Sequence, residues 1–196
     1  VPFIDDGGKL IGDSTFIRFH IEREHRVDFD EGLSTLERAT ALAIELMVEH
    51  ELAPAVMYFR WLDPENFEKG PGTWFNGMPD EQRAAVKADL LARVRHGMRA
   101  KGIARHSEEE IVGLGLRSLK ALSVFLGEKP FLMGEEPCGA DAFVFATLAA
   151  AMTPQTWPRK RVTEAGTSSS NRFTTTVPTP GRCRYPAYRR KSRYSL

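Results

Sequence analysis

The first 25 residues leave this chain few folds to choose from. Two short apolar runs, residues 2–4 and 9–11, flank Asp5-Asp6-Gly7-Gly8. Paired glycines between such runs specify a tight hairpin, because glycine enters positive φ without steric cost. From Asp13 to about His25 the side chains of Phe16, Ile17, His20 and Ile21 recur at helical spacing, with Asp13 or Ser14 as the cap. The predicted unit is ββα. Pro2 adds a chemical constraint: a residue before proline is held extended, and a cis Val1-Pro2 bond turns the Val1 backbone outward to pair with a peptide-like ligand as a strand does. Taken alone, the dipeptide also suits an edge or turn proline. Asp13 and Ser14 open a helix, whose free N–H groups and positive dipole end suit a carboxylate, while the acidic side chain suits an ammonium. Both roles are compatible with helix capping.

The rest of the chain divides at Pro154. The formal charge of +1 averages two unlike polymers, since residues 154–196 hold ten of the 27 Lys and Arg and one acid, Glu164, for a net of +9, leaving −8 on residues 1–153. The first part is helical in pattern. Leu36, Ala39, Ala43, Leu46 and His50 fall three and four apart, so one face of a long helix reaching about Leu62 is apolar and is expected to face a core, with a kink or restart expected at Pro54 and an end at Asp63-Pro64. Residues 65–78, with Gly70, Pro71, Gly72 and Gly77 beside Trp74 and Phe75, read as a loop with aromatic anchors. Asp80 opens a helix striped by Val86, Leu90, Val94 and Met98 and stopped near Gly102, its other face basic. Ser107 and Glu110 form a capping box for a helix running to Gly127. An apolar helix spans Ala142 to Met152. Beyond it only one Leu and no Ile, Met, Asp or His remain. Ordering each residue there costs about 1–2 kcal/mol of backbone entropy that so little apolar surface cannot offset, so a disordered basic tail is expected.

No apolar stretch approaches the roughly 20 residues of a spanning helix, so no membrane span is expected. Two cysteines, Cys138 and Cys183, fit a reducing compartment and a cytoplasmic setting. The five histidines do not cluster at metal-ligand spacing, and no metal is assigned. Arg182, Arg184, Arg189, Arg190, Lys191 and Arg193 alternate with Tyr185, Tyr188 and Tyr194 in a manner superficially suited to RNA. Composition produced by a shifted frame does the same, and no nucleic-acid partner is expected. Cys138 sits at a helix start, where the dipole can activate a thiol.

The order Val-Pro, hairpin, Asp13-Ser14, helix resembles the second half of the thioredoxin-like domain of glutathione transferases. Cys138 and Asp141, three apart before an apolar helix, are similar to the capping motif of that family's all-helical domain, in which a Ser or Thr caps and an Asp returns a bond to the cap's N–H. Lys129-Pro130-Phe131-Leu132-Met133-Gly134, Arg60-Trp61, Asn66-Phe67 and Gly70-Pro71 look like the metaxin-like branch, which includes the failed-axon-connections proteins.

The resemblance implies a glutathione-transferase-like fold. A partial thioredoxin-like α/β domain, a ββα remnant over residues 1–25, precedes a linker at 26–32, an all-α domain at 33–153 and the disordered basic tail at 154–196. It implies that Val1, Pro2, Asp13 and Ser14 bind glutathione, Ser14 taking the γ-glutamyl carboxylate and Asp13 the amine. The thiol-activating catalytic residue is expected upstream of Val1, so the chain reads as truncated and weakly active or inactive. Tyr58 and Trp61 are candidates for the pocket of an electrophilic co-substrate, with core packing as ready an explanation. Cys138 and Asp141 are expected to be structural. Because family members continue with further helices, the tail is expected to reflect a frame change after Met152. Two functions stay open: conjugation of glutathione to electrophilic small molecules, with a homodimer as one arrangement, or a non-catalytic metaxin-like interaction or scaffold role.

Overall fold

The structure is a computed structural model that describes residues 2–153. These fall within one unit, Val1–Arg159; the second, Lys160–Leu196, and the expectations about the tail and about Val1 lie outside the described residues.

The hairpin forms as its glycines dictate. Strands β1 (Phe3–Asp6) and β2 (Lys9–Gly12) pair antiparallel with Ile4 opposite Ile11, and Gly7 and Gly8 take φ of 61° and 87° in the turn. Asp5 Oδ1 accepts the Gly8 N–H at 2.8 Å. Helix α1 (Ser14–His25) packs against this hairpin. His20, expected on its apolar face, is buried; its Nε2 lies 2.7 Å from Asp6 Oδ2 and its Nδ1 3.0 Å from Arg23 Nη2, tying the helix to the hairpin turn. Phe16, read as part of that face, is 63% exposed and meets Phe19 edge to face instead. Helical spacing locates a stripe but not the surface that covers it.

Arg26 ends α1 in the left-handed conformation, and the charged segment after it carries the chain to helix α2 (Thr35–Met47), whose Ser34 and Glu37 form a capping box. The stripe expected to face a core, Leu36, Ala39, Ala43, Leu46 and His50, is exposed; Ala41, Ile44 and Val48, on another face, meet the core instead, since spacing alone does not say which face the neighbouring helices cover. The disturbance expected near Pro54 is a wide π-helical turn at Val48–Leu52, after which α3 (Ala53–Leu62) resumes. Proline lacks an N–H and its ring crowds the carbonyl four residues back; the wider turn, with Ala53 N–H bonding to Val48 O, absorbs both effects.

Residues 65–78 depart from the loop expectation. Asp63 Oδ1 accepts the Asn66 N–H at 2.9 Å and caps a short helix, α4 (Pro64–Lys69), with Pro64 at its first position; a 3₁₀ segment, Pro71–Phe75, follows. The Asp-Pro pair thus ends one helix and begins another. Helix α5 (Asp80–Ala100) contains no buried residue: Leu90, Val94 and Met98 are half-covered and Val86 is exposed, because one side of the helix lies against α3 and the 3₁₀ turns at Pro71–Phe75 and Ile103–Arg105, with Lys87 reaching Glu68 and Phe67 of α4. Helix α6 (Glu108–Leu126) starts on the Ser107–Glu110 capping box and stops at Gly127.

The main core lies where α2, the π turn and α3 meet α6 and α7 (Gly139–Met152). Val48, Leu52, Val56, Leu122, Leu132, Ala140 and Val144 are buried there, and Ala55, Phe59, Ile111 and Val112 form a second cluster. Each large side chain so buried contributes about 1.5–3 kcal/mol of transfer free energy. One face of α7 joins this core, while Phe145 on another is 54% exposed.

Candidate functional site

Antiparallel pairing carries two distant pieces of sequence to one place. One step beyond the Phe3–Gly12 pair, the Asp13 N–H donates to the Pro2 carbonyl at 3.0 Å, so the start of β1 abuts the start of α1. Pro2, Asp13 and Ser14 are all exposed there. Val1 and the isomer of the Val1-Pro2 bond lie outside the described residues.

Asp13 reaches this position at φ 75° and ψ 132°, a conformation that costs a non-glycine residue about 1–3 kcal/mol. The surroundings hold it there. Its N–H is bonded to Pro2, its carbonyl accepts from Ile17 N at 2.9 Å, and its Oδ1 accepts the Thr15 N–H at 2.9 Å. Asp13, not Ser14, is therefore the cap, which leaves Ser14 as the first helical residue with its side chain facing solvent at the positive end of the helix dipole. An exposed carboxylate, an exposed hydroxyl and a helix N-terminus then adjoin one strand edge. Such a surface can receive a carboxylate and an ammonium on neighbouring atoms.

Tyr58 and Trp61 go to different neighbours. Tyr58 packs on the cluster of Ala55, Phe59, Ile111 and Val112. Trp61 stands edge to face with Trp74 at 5.7 Å and tilted against Phe67 at 6.2 Å, its Nε1 buried without a hydrogen-bond partner. Neither lines the cavity of about 210 Å³ between α1, α2 and α7, whose walls include Arg18, Asp30, Arg38 and Glu45. Nor do they line the one of about 510 Å³ beside the π turn, walled by His50, Pro54, Lys101 and His106.

Cys138 precedes α7, and its N–H donates to Asp141 Oδ2 at 2.9 Å while Asp141 Oδ1 accepts the Leu132 N–H at 2.9 Å. Burial, followed by the bond to the Asp141 carboxylate, pushes the thiol up to about 11, opposite to what a helix N-terminus does to an exposed cysteine. The thiolate is scarce at neutral pH. Glu45, half-buried in the smaller cavity, is raised above the usual carboxylate range, chiefly by burial. Among the described residues no three His, Cys, Asp or Glu side chains gather to hold a metal ion, and no helix is long and apolar enough to cross a membrane.

Sequence patterns gave no warning of one arrangement. Arg18 of α1, Asp30 after it and Gly139 at the head of α7 meet through two hydrogen bonds, the one between Asp30 and Gly139 spanning 109 residues.

A glycine-turned hairpin feeding a capped helix, followed by a helical bundle whose last helix opens on an Asp-closed cap, defines a glutathione-transferase-like architecture. A family model described as the glutathione S-transferase N-terminal domain matches residues 1–66, and one described as its C-terminal domain matches residues 115–168, running past the break in composition at Pro154. An isoprene-epoxide–glutathione S-transferase of Rhodococcus sp. (strain AD45) is 31% identical over 162 residues, covering 80% of this chain and 68% of that protein. Failed axon connections of Drosophila melanogaster is 30% identical over 76% of the chain and 38% of its own length; metaxin-1 of Mus musculus is 27% identical over 72% and 47%. No solved structure matches the chain significantly. The chain belongs to the glutathione S-transferase family, and it spans only part of each of these relatives.

Proposed function

We propose that the protein to which this chain belongs binds glutathione at the junction of Pro2, Asp13 and Ser14 and transfers it to an electrophilic small molecule. Ser14 and the α1 N-terminus receive the γ-glutamyl carboxylate, Asp13 takes the ammonium, and the Val1 backbone pairs with the peptide. The glutathione sulfur then forms a bond to the electrophile's carbon as its leaving group departs or its epoxide opens, with the thiol proton passing to solvent or to the opened oxygen. Val1, Pro2, Asp13 and Ser14 are the binding residues of this proposal, Tyr58 and Trp61 remain its candidates for co-substrate contact, and no catalytic residue is assigned. A cytoplasmic homodimer is part of the same proposal.

The observation that carries it is Asp13, exposed and held at positive φ by its bonds to Pro2, Thr15 and Ile17. Backbone strain held in place by its surroundings clusters at ligand-binding and active sites. Titration calorimetry with glutathione tests it. Ser14→Ala is expected to weaken binding by about 1–3 kcal/mol, the range for a hydrogen bond to a charged group. Unchanged affinity in both Ser14→Ala and Asp13→Asn would leave Asp13 a helix cap and Ser14 a surface residue, with no part in binding.

A second reading, a non-catalytic interaction protein, is favoured by a different observation. The hairpin face bearing Phe3 and Leu10, 71% and 70% exposed, is bare, as are Phe16 and Phe19 on α1. Apolar surface of this kind marks contact with another protein surface. A glutathione-consumption assay with 1-chloro-2,4-dinitrobenzene separates the two: conjugation supports the transferase, whereas glutathione-independent partner binding without conjugation supports the scaffold.

A further inference from the structure

Helix α1 is joined to the helical bundle through a polar contact that its amphipathic pattern does not foreshadow. Arg18 is largely covered; its Nη2 donates to Asp30 Oδ2 at 2.8 Å, its Nε donates to Glu22 Oε1 at 2.9 Å, and its guanidinium lies 5.9 Å from the centre of the Phe29 ring. The other oxygen of Asp30 accepts the Gly139 N–H at 2.9 Å, so one carboxylate joins the side chain of α1 to the first turn of α7. Asp30 is itself mostly buried. Gly139 completes the contact by lacking a side chain: a Cβ there would stand 2.2 Å from Arg18 Nη1 and 2.5 Å from its Cζ. Any other residue at 139 displaces the guanidinium.

Arg18 lies four residues, about 6 Å along the axis, from Ser14. A tilt of α1 by about 10–20° about the Arg18 contact would move the Ser14 end by about 1–2 Å, enough to spoil the geometry of a hydrogen bond. We propose that Arg18, Asp30 and Gly139 form a latch that sets the orientation of α1 against α7, making Arg18 and Asp30 positioning residues for the Asp13–Ser14 end of the same helix. The latch rests on the glutathione proposal only for what that end binds. Its partial burial shields it from salt, unlike a solvated ion pair.

The test uses the full chain with Arg18→Met, Asp30→Asn and Gly139→Ala, and Arg18→Lys as the conservative partner. Amide hydrogen exchange reads the orientation of α1, and calorimetry reads glutathione affinity. Exchange at Ile17–Ile21 should rise about tenfold or more while α6 amides keep their protection. Glutathione Kd should rise about three- to thirtyfold, with part of the loss recovered in Arg18→Lys. Unchanged α1 exchange overturns the proposal, and so does equal acceleration of α1 and α6, which marks general destabilisation. Faster α1 exchange with unaltered Kd also overturns it, because the contact then holds the helix without positioning the site. Absence of glutathione binding by the unsubstituted chain sinks the glutathione proposal instead, and the exchange pattern alone then decides the latch.

Discussion

Removing the Asp141 carboxylate should be the most damaging single change at the head of α7. Its two oxygens each accept a backbone N–H at 2.9 Å, from Cys138 and from Leu132. Both donors belong to buried residues, Leu132 2% and Cys138 7% exposed, so water is poorly placed to replace the carboxylate. Leaving a buried donor unpaired costs about 1–3 kcal/mol, so Asp141→Ala should destabilise by about 2–6 kcal/mol. Loss of a negative charge from the first turn adds about 0.3–1 kcal/mol. Asp141→Asn keeps one acceptor oxygen and should lose about half as much. Against the 5–15 kcal/mol typical of a domain, the alanine change is a large fraction of the total. Urea unfolding followed by circular dichroism at 222 nm measures both variants against the parent chain. A loss below about 1 kcal/mol for Asp141→Ala, at unchanged denaturant slope, would mean that neither donor depends on this side chain, and the cap would have to be assigned elsewhere.

Other consequences can be checked independently. The Cys138 thiol, held up to about 11 by burial and by Asp141, stays neutral where an unfolded thiol near 8.5 ionises; stability should therefore be independent of this group below about pH 8.5 and fall as pH rises from there toward 11, and Cys138→Ala should remove that slope in pH-dependent unfolding. Gly8→Val, forced to φ 87°, should cost about 1–2 kcal/mol and speed amide exchange across Phe3–Gly12 more than in α6. Arg117→Ala breaks the 2.9 Å pair with Glu51, but both side chains are well exposed, so thermal unfolding should reveal a loss below about 1 kcal/mol.

What the sequence determined by itself was local. The hairpin, the caps at Asp13, Ser107 and Cys138–Asp141, the stop at Gly127 and the break before Pro54 all rest on interactions within about five residues, and each residue type carries its own steric or hydrogen-bonding reason. The Pro2–Asp13 junction was legible too, because a hairpin with a known turn fixes its register and so brings its two ends together. Tertiary structure decided which apolar faces are covered: Phe16 is bare where its spacing promised burial, His20 is buried, and α5 is only half-covered. The helical state of residues 64–69 has a local cause that a reading of Asp63-Pro64 as a stop overlooks, since the pair satisfies both the end of α3 and the start of α4. The Arg18–Asp30–Gly139 contact was decided by tertiary structure alone. Charge pairs have no period along the chain, and a glycine beside a cap reveals its purpose only when a guanidinium from a distant helix fills the space where its side chain would be.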